Sequence, residues 1–288
     1  MWFRFVVILL TLAAIGLAAA PESGDAAPAS NGLPLWEIGL FGGAGRLPHY
    51  RGSDEYKTYA LPLPLFIYRG KIFRANREGV KSVFWETDRL ETGLSLSGNP
   101  PVDGGNDARD GMSDLGAILE IGPMLKWSLR DPQSPDPLYA IAAARAAISV
   151  DPHDFDTAHE GYRGELKLVY RNVTWLKKWG VFLGLNASVD FADAEFHRYF
   201  YEVEPRYALA DRPAYSPGGG YSGFSLSANA IKKLNRRLTL GVYYRWDNLA
   251  GTVYEDSPLV KTENNHIVGV ALIWNIHKSE RKSPYSGL

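Results

Sequence analysis

The residues of this sequence that could take part in catalysis or metal binding are its histidines and its acidic residues. A hydrolase would need a serine, a histidine and an acid or amide that orients the histidine. The strongest cluster is His153 with Asp151, Asp154 and Asp156, which could bind a divalent cation through oxygen ligands. A solvated acidic loop explains the same residues more simply. The sequence has no Gly-x-Ser-x-Gly or His-Glu-x-x-His motif, so we predict no catalytic residues, no metal site and no cofactor.

A second group of charged residues occupies alternate positions in segments that otherwise have the pattern of β-strands. Between residues 238 and 247, large apolar side chains alternate with polar ones that include Arg245 and Asp247. Successive side chains of a strand point to opposite faces, so one face is apolar and the other is ionic. Because an unpaired buried charge is costly, we predict that the charged faces line a closed lumen and pair across it. The predicted lumen residues are Arg89, Glu91, Glu120, Lys126, Arg145, Arg163, Glu165, Lys167, Arg171, Asp190, Arg245 and Asp247.

This set of charged residues has two interpretations, a conducting channel with a charged lining or a plug of salt bridges. Barrels of about 8 strands are filled by side chains, whereas about 16–18 strands leave an open channel. We therefore favour the plug.

The elements that position these residues are predicted to be the strands of an all-β fold, a closed antiparallel transmembrane β-barrel. From the fifth strand onward the connections alternate between long and short, which is typical of outer-membrane barrels. Counting residues 77–79 as a turn gives about twelve strands, and merging strands gives ten as the alternative. The longest connection, residues 192–219, is predicted to be a loop. Pro62 and Pro64 lack amide hydrogens and weaken the second strand.

Aromatic residues support the same architecture. Tryptophans lie near the predicted strand ends, as in the interfacial girdle of a membrane protein; they are Trp36, Trp85, Trp127, Trp175, Trp179, Trp246 and Trp274. Tyrosines are concentrated in the long loops, where they could form a recognition surface or pack to close the mouth of the barrel.

Composition and the N-terminus indicate an exported single domain. The chain has 288 residues, no cysteine and a formal net charge of −1, so it offers no electrostatic case for nucleic-acid binding. Arg4, an apolar core at residues 5–17 and small residues at 18–20 predict a signal peptide. The predicted organisation is a signal peptide at 1–20 with cleavage between 19 and 29, a disordered leader at 21–34, the barrel at 35–277 and a periplasmic tail at 278–288.

Several segments spread along the chain resemble the MipA/OmpV family. They are YRGSDEY at 50–56, LPLP at 61–64 with YRG at 68–70, GGGY at 218–221, YRWDNL at 244–249 and DSPLV at 256–260. The resemblance implies an outer-membrane barrel of a Gram-negative cell envelope. It also implies a scaffold that joins a lytic transglycosylase to a bifunctional penicillin-binding protein in peptidoglycan synthesis. No catalytic residues come with this resemblance.

Three functional hypotheses follow. The first is a non-enzymatic scaffold in the outer membrane, surrounded by lipid and lipopolysaccharide, with a transglycosylase and a penicillin-binding protein as partners and the basic tail as a contact. The alternative is a narrow porin-like channel for small solutes. The third is a lipid or lipopolysaccharide hydrolase that depends on His153 or His159.

Overall fold

The computed structural model of the protein describes residues 34–69, 73–76, 79–102, 105–131, 134–151, 156–172 and 176–282. The predicted signal peptide, nearly all of the leader, the last six residues of the tail and Trp175 lie outside these residues, as do His153 and Asp154 of the acidic cluster. The described part contains twelve strands and one α-helix: β1 Trp36–Pro48, β2 Tyr56–Arg69, β3 Phe73–Asn76, β4 Gly79–Glu86, β5 Leu90–Asn99, β6 Ala117–Ser128, β7 Leu138–Val150, β8 Thr157–Asn172, β9 Val181–Ala192, α1 Ala194–Tyr201, β10 Gly220–Lys233, β11 Leu238–Asn248 and β12 Asn264–Lys278.

The strands form one antiparallel sheet in which each strand pairs with its neighbours in sequence. The sheet closes because β1 also pairs with β12, from Glu37 opposite Lys278 to Arg46 opposite Val268. The residues just outside these strands continue the contact, since the Leu35 amide donates to the Arg281 carbonyl at 2.8 Å. Both chain ends of the described region therefore lie together at one end of the barrel, which we call the terminal end.

The sheet carries apolar side chains on its outer face and charged side chains on its inner face, the reverse of a water-soluble protein. Val242, Val270 and Trp274 face outward with 46 to 48% of their surface exposed, whereas Glu120 and Asp247 are fully buried inside. Large apolar side chains on the outside are stable where the solvent is lipid. The predicted alternation of apolar and ionic faces is confirmed in these strands.

The connections differ between the two ends. At the terminal end β4–β5 and β10–β11 are joined by short turns, residues 87–89 and 234–237. At the opposite end, which we call the loop end, long connections span residues 100–116, 193–219 and 249–263. The β3–β4 hairpin is an exception, because its strands are only 4 and 8 residues long.

One sequence prediction is confirmed here and another needs correction. The count of twelve strands is confirmed over the ten-strand alternative. The segment 192–219 was predicted to be a loop, but it contains α1. Asp193 is the N-cap of this helix and accepts a 2.9 Å hydrogen bond from the Phe196 amide. Among the described residues, no helix has the length and apolar character required to cross a membrane.

Candidate functional site in the barrel lumen

A continuous ionic network crosses the lumen below the loop end. Arg163 donates to Glu120 at 3.0 Å and to Asp190 at 2.9 Å, which joins β6, β8 and β9. Arg145 on β7 donates to Glu165 at 3.0 Å. Lys167 lies 2.6 Å from the other oxygen of Glu165. These contacts connect four strands through side chains that strand alternation alone places on the inner face.

A loop arginine completes this network. Arg51 reaches from the β1–β2 connection into the lumen, where it lies 2.9 Å from Asp190 and 3.3 Å from Asp247. Asp247 is also paired with Arg245 at 2.6 Å. Burial lowers the pKa of Arg51, but Asp247 and Asp190 outweigh that effect, so its pKa lies above the ordinary value and the guanidinium stays charged.

Arg51 was not among the predicted lumen residues. It lies outside any alternating segment, so no sequence periodicity could reveal that it enters the barrel. Its backbone is positioned by Gly52, whose φ of 96° favours glycine. The Gly52 amide donates to the Asn265 side chain at 2.6 Å, and the same side chain donates to the Ser53 carbonyl at 2.7 Å.

The structure places the twelve predicted lumen residues in three groups. Eight belong to the ionic network: Glu120, Arg145, Arg163, Glu165, Lys167, Asp190, Arg245 and Asp247. Three lie nearer the terminal end, where Glu91 is opposite Lys126 and Arg171 donates to the Tyr139 hydroxyl at 2.8 Å. Arg89 is elsewhere: it is exposed in the turn before β5, because that strand begins at Leu90.

The lumen contains a cavity of about 280 Å³ beneath the loops. Its described lining includes seven cations and two carboxylates: Arg51, Lys126, Arg145, Arg163, Lys167, Arg171 and Arg245, with Glu165 and Asp247. Glu120 and Asp190 are buried behind this lining. The cavity surface is therefore cationic, although the network as a whole is nearly balanced.

The loop end is covered by a hydrophobic core of loop residues. We call this part the loop cap and define it as residues 49–55, 100–102, 105–116, 193–219 and 249–263. Tyr201 of α1 stacks on Tyr254, with ring centroids 3.8 Å apart and planes inclined by 7°. Tyr254 and Leu259 are almost completely buried. The tyrosines of the loops thus pack to close the barrel mouth, one of the two roles that the sequence left open.

The loop cap is fastened by tyrosine hydroxyls. Tyr50 donates to the Leu259 carbonyl at 2.8 Å, Tyr201 to the Arg51 carbonyl at 2.9 Å and Tyr254 to the Ser222 carbonyl at 2.8 Å. Burial raises the pKa of all three tyrosines, so the hydroxyls remain protonated donors at physiological pH.

One buried histidine in the loop cap has a serine partner. The His197 Nδ1 lies 2.8 Å from the Gly218 carbonyl, and its Nε2 lies 3.0 Å from Ser222 Oγ. A carbonyl only accepts, so Nδ1 carries the proton and Nε2 accepts from Ser222. No carboxylate orients the ring, and both residues are buried. We therefore assign this pair to the structure of the loop cap.

Two other described histidines lie on strands β8 and β12. His159 is exposed and lies 3.6 Å from Glu195, and His266 contacts the Tyr244 hydroxyl at 2.9 Å. Within the described ranges, no three histidine or acidic side chains are arranged to hold a metal ion.

A closed sheet with an apolar exterior, a buried ionic interior and long loops at one end defines a β-barrel of the outer-membrane type. The family model described as MltA-interacting protein MipA matches residues 39–276. The chain belongs to this family, as its sequence resemblance indicated, and it is an outer-membrane protein.

Relatives agree with this assignment. The chain is 24% identical over 244 residues to outer membrane protein Omp26La of Vibrio anguillarum, covering 83% of this chain and 85% of the relative. It is 24% identical over 245 residues to outer membrane protein OmpV of Vibrio cholerae serotype O1, with the same coverages. Among solved structures, OprB of Pseudomonas putida is similar to this chain with a TM-score of 0.37 and 8% identity, covering 84% of this chain and 94% of that chain.

Proposed function

We propose that this protein is a non-enzymatic scaffold that binds a peptidoglycan-cleaving enzyme at the periplasmic surface of the outer membrane. The family description names an interaction with the transglycosylase MltA. The long loops of outer-membrane barrels face outward and the short turns face the periplasm, so the terminal end is the face available to such an enzyme.

The observation that carries the proposal is a basic turn at the terminal end. Residues 232–237 read KKLNRR, and all six are exposed, at the end of β10 and in the turn that leads to β11. Lys278 and Arg281, where β12 ends, are exposed at the same end. Charges on a rim accelerate encounter with an oppositely charged partner, so this surface suits an acidic face of a soluble periplasmic enzyme.

The lumen supports a scaffold more than a pore. The loop cap covers the loop end, and Arg51 ties it to Asp190 and Asp247. A solute passing through would have to displace buried, mutually paired charges, which is costly. The porin-like alternative depends on the cavity of about 280 Å³, which would have to connect through this network.

The test is capture of purified MltA-type transglycosylase by the detergent-solubilised barrel. We expect binding that weakens with salt and falls at least tenfold when Arg236 and Arg237 are both changed to Glu. The matched control is Arg206→Glu, an exposed arginine of the loop cap, which should bind normally. Equal capture by the two variants would contradict the docking surface.

The same preparation in a planar bilayer tests the alternative function. Steady unitary currents from the unmodified protein would favour the pore over the scaffold. We expect no such currents while the loop cap is closed.

A further inference from the structure

The lumen cavity carries an excess of positive charge. Its described lining contains seven cationic side chains. Five described carboxylates share that lining, pair with these cations or lie opposite one of them: Glu91, Glu120, Glu165, Asp190 and Asp247. These charged residues together have a formal charge of +2. Uncompensated charge in a desolvated interior is costly, so an anion in the cavity would lower the electrostatic free energy of the lumen.

One of these cations has a donor that no acceptor uses. Arg145 Nε donates to Ser95 Oγ at 2.9 Å, and Nη2 donates to Glu165 at 3.0 Å. Its Nη1 is buried without a hydrogen-bond partner and lies 3.9 Å from a Glu120 oxygen. The side chain is only 7% exposed and lines the cavity. A buried donor without an acceptor costs free energy that an anionic ligand would recover.

A second arginine of the lining has the same imbalance. Arg51 Nε and Nη2 are buried without hydrogen-bond partners, although Nη2 lies 3.3 Å from Asp247 Oδ1. Among the described lining residues, the buried carboxylate oxygen that lacks a partner is Asp247 Oδ2. The two arginines therefore leave three donor nitrogens unused against one acceptor oxygen. This difference favours a ligand that accepts hydrogen bonds over one that donates them.

The loop cap gives the cavity an apolar side. The rings that line it there are those of Tyr50, Phe196, Phe200 and Tyr201. Both tyrosine hydroxyls donate to backbone carbonyls of the loop cap, that of Tyr201 to the Arg51 carbonyl at 2.9 Å. The rings therefore adjoin the backbone of a cavity arginine, and their carbon surfaces can pack against an apolar part of a ligand.

We propose that this cavity binds a small organic carboxylate with an apolar body. Its carboxylate accepts a hydrogen bond from Arg145 Nη1, and its body packs against the rings of the loop cap. A volume of about 280 Å³ suits one small ligand. The site lies inside the barrel, apart from the basic turn at residues 232–237, so it does not depend on the proposed binding of an enzyme.

The test is a titration of the full-length barrel in phosphatidylcholine nanodiscs with para-fluorobenzoate, followed by fluorine NMR. Empty nanodiscs give the background, and overnight equilibration allows for slow opening of the loop cap. We expect saturable binding above the background, with an affinity at least tenfold lower in Arg145→Gln. Glu165 and Glu120 keep Lys167 and Arg163 in that variant, so the barrel should remain folded.

The matched control is Arg130→Gln, which removes a positive charge from the exposed β6–β7 turn and leaves the cavity lining unchanged. This variant should bind para-fluorobenzoate normally. Equal loss of affinity in the two variants would indicate general electrostatic attraction and overturn the site. Unchanged affinity in Arg145→Gln would overturn the role of its guanidinium.

Three measurements on the unmodified barrel test the proposal without any substitution. The uncharged para-fluorobenzyl alcohol should not displace the carboxylate, and equal competition by it would overturn selection for an anion. Equally effective competition by inorganic phosphate would overturn the contribution of the apolar body. Photoreactive para-azidobenzoate should label α1, as mapped by mass spectrometry; label confined to the outward apolar face, or no saturable binding above empty nanodiscs, would overturn the cavity site.

Discussion

Replacing Arg51 by Met should release the loop cap without unfolding the barrel. Breaking one side of a buried ion pair costs about 3–5 kcal/mol. Arg51 is 20% exposed, and its partners Asp190 and Asp247 retain Arg163 and Arg245. We therefore expect Arg51→Met to destabilise the closed cap by the lower limit of this range, about 3 kcal/mol. Since about 1.4 kcal/mol corresponds to a factor of ten, the population of the open cap should rise roughly a hundredfold.

Charge balance makes this variant informative. Among the described residues, the network joins five cations and four carboxylates, so removing Arg51 brings its formal charge from +1 to zero. Any destabilisation therefore reflects the lost bridge between loop and strands, since net repulsion is not increased. Arg51→Lys keeps the charge but replaces the two nitrogens that contact Asp190 and Asp247 separately with a single ammonium on a shorter, flexible side chain. This variant should therefore open the cap to an intermediate degree.

Amide hydrogen exchange measures the opening directly. Exchange should accelerate in residues 249–263 and in α1, while the amides of β9 and β11 remain protected. Arg206→Ala, which removes an exposed pair with Glu204, is the control and should leave exchange unchanged. If exchange in Arg51→Met matched that of the original protein, the bridge would not hold the cap and the reasoning would be refuted.

Three further predictions concern packing and titration. Tyr201→Ala removes a ring stacked on Tyr254 and should destabilise the cap by about 3–5 kcal/mol, measured by chemical denaturation followed through cap fluorescence. Burial lowers the pKa of His197 below its ordinary value of 6.5, so between that value and the lowered pKa the unfolded cap binds more protons than the folded cap. The stability of the cap should therefore be full above pH 6.5 and fall as the pH decreases toward the lowered pKa. His197→Gln should abolish this pH dependence. A Cβ at Gly122 would overlap the Ala144 carbonyl oxygen, so Gly122→Ala should lower the free energy of unfolding by about 1–3 kcal/mol, measured by heat-induced unfolding. Gly111 has open space around it but a φ of 75°, so Gly111→Ala should strain only its own loop.

The sequence determined the features that depend on local periodicity. Alternation over ten residues fixes which side chains face the lumen, so the inward direction of Glu120, Asp190 and Asp247 could be predicted before any pairing was known. Turn chemistry and loop length likewise gave the number of strands and which connections are long. The strand limits depend on pairing as well: β8 begins at Thr157, ahead of the apolar alternation, because pairing with β7 extends the ladder.

Only the tertiary structure decided how the loops and the wall close the barrel. Arg51 enters the lumen because Asp190 and Asp247, far away in the sequence, converge beneath it, and no local pattern records that convergence. Helix α1 is short and stable only against the other loops, since isolated helices of this length are marginal in water. Local alternation fixes the face of each side chain, whereas closure brings distant charges and edges together, and that geometry exists only in the assembled barrel.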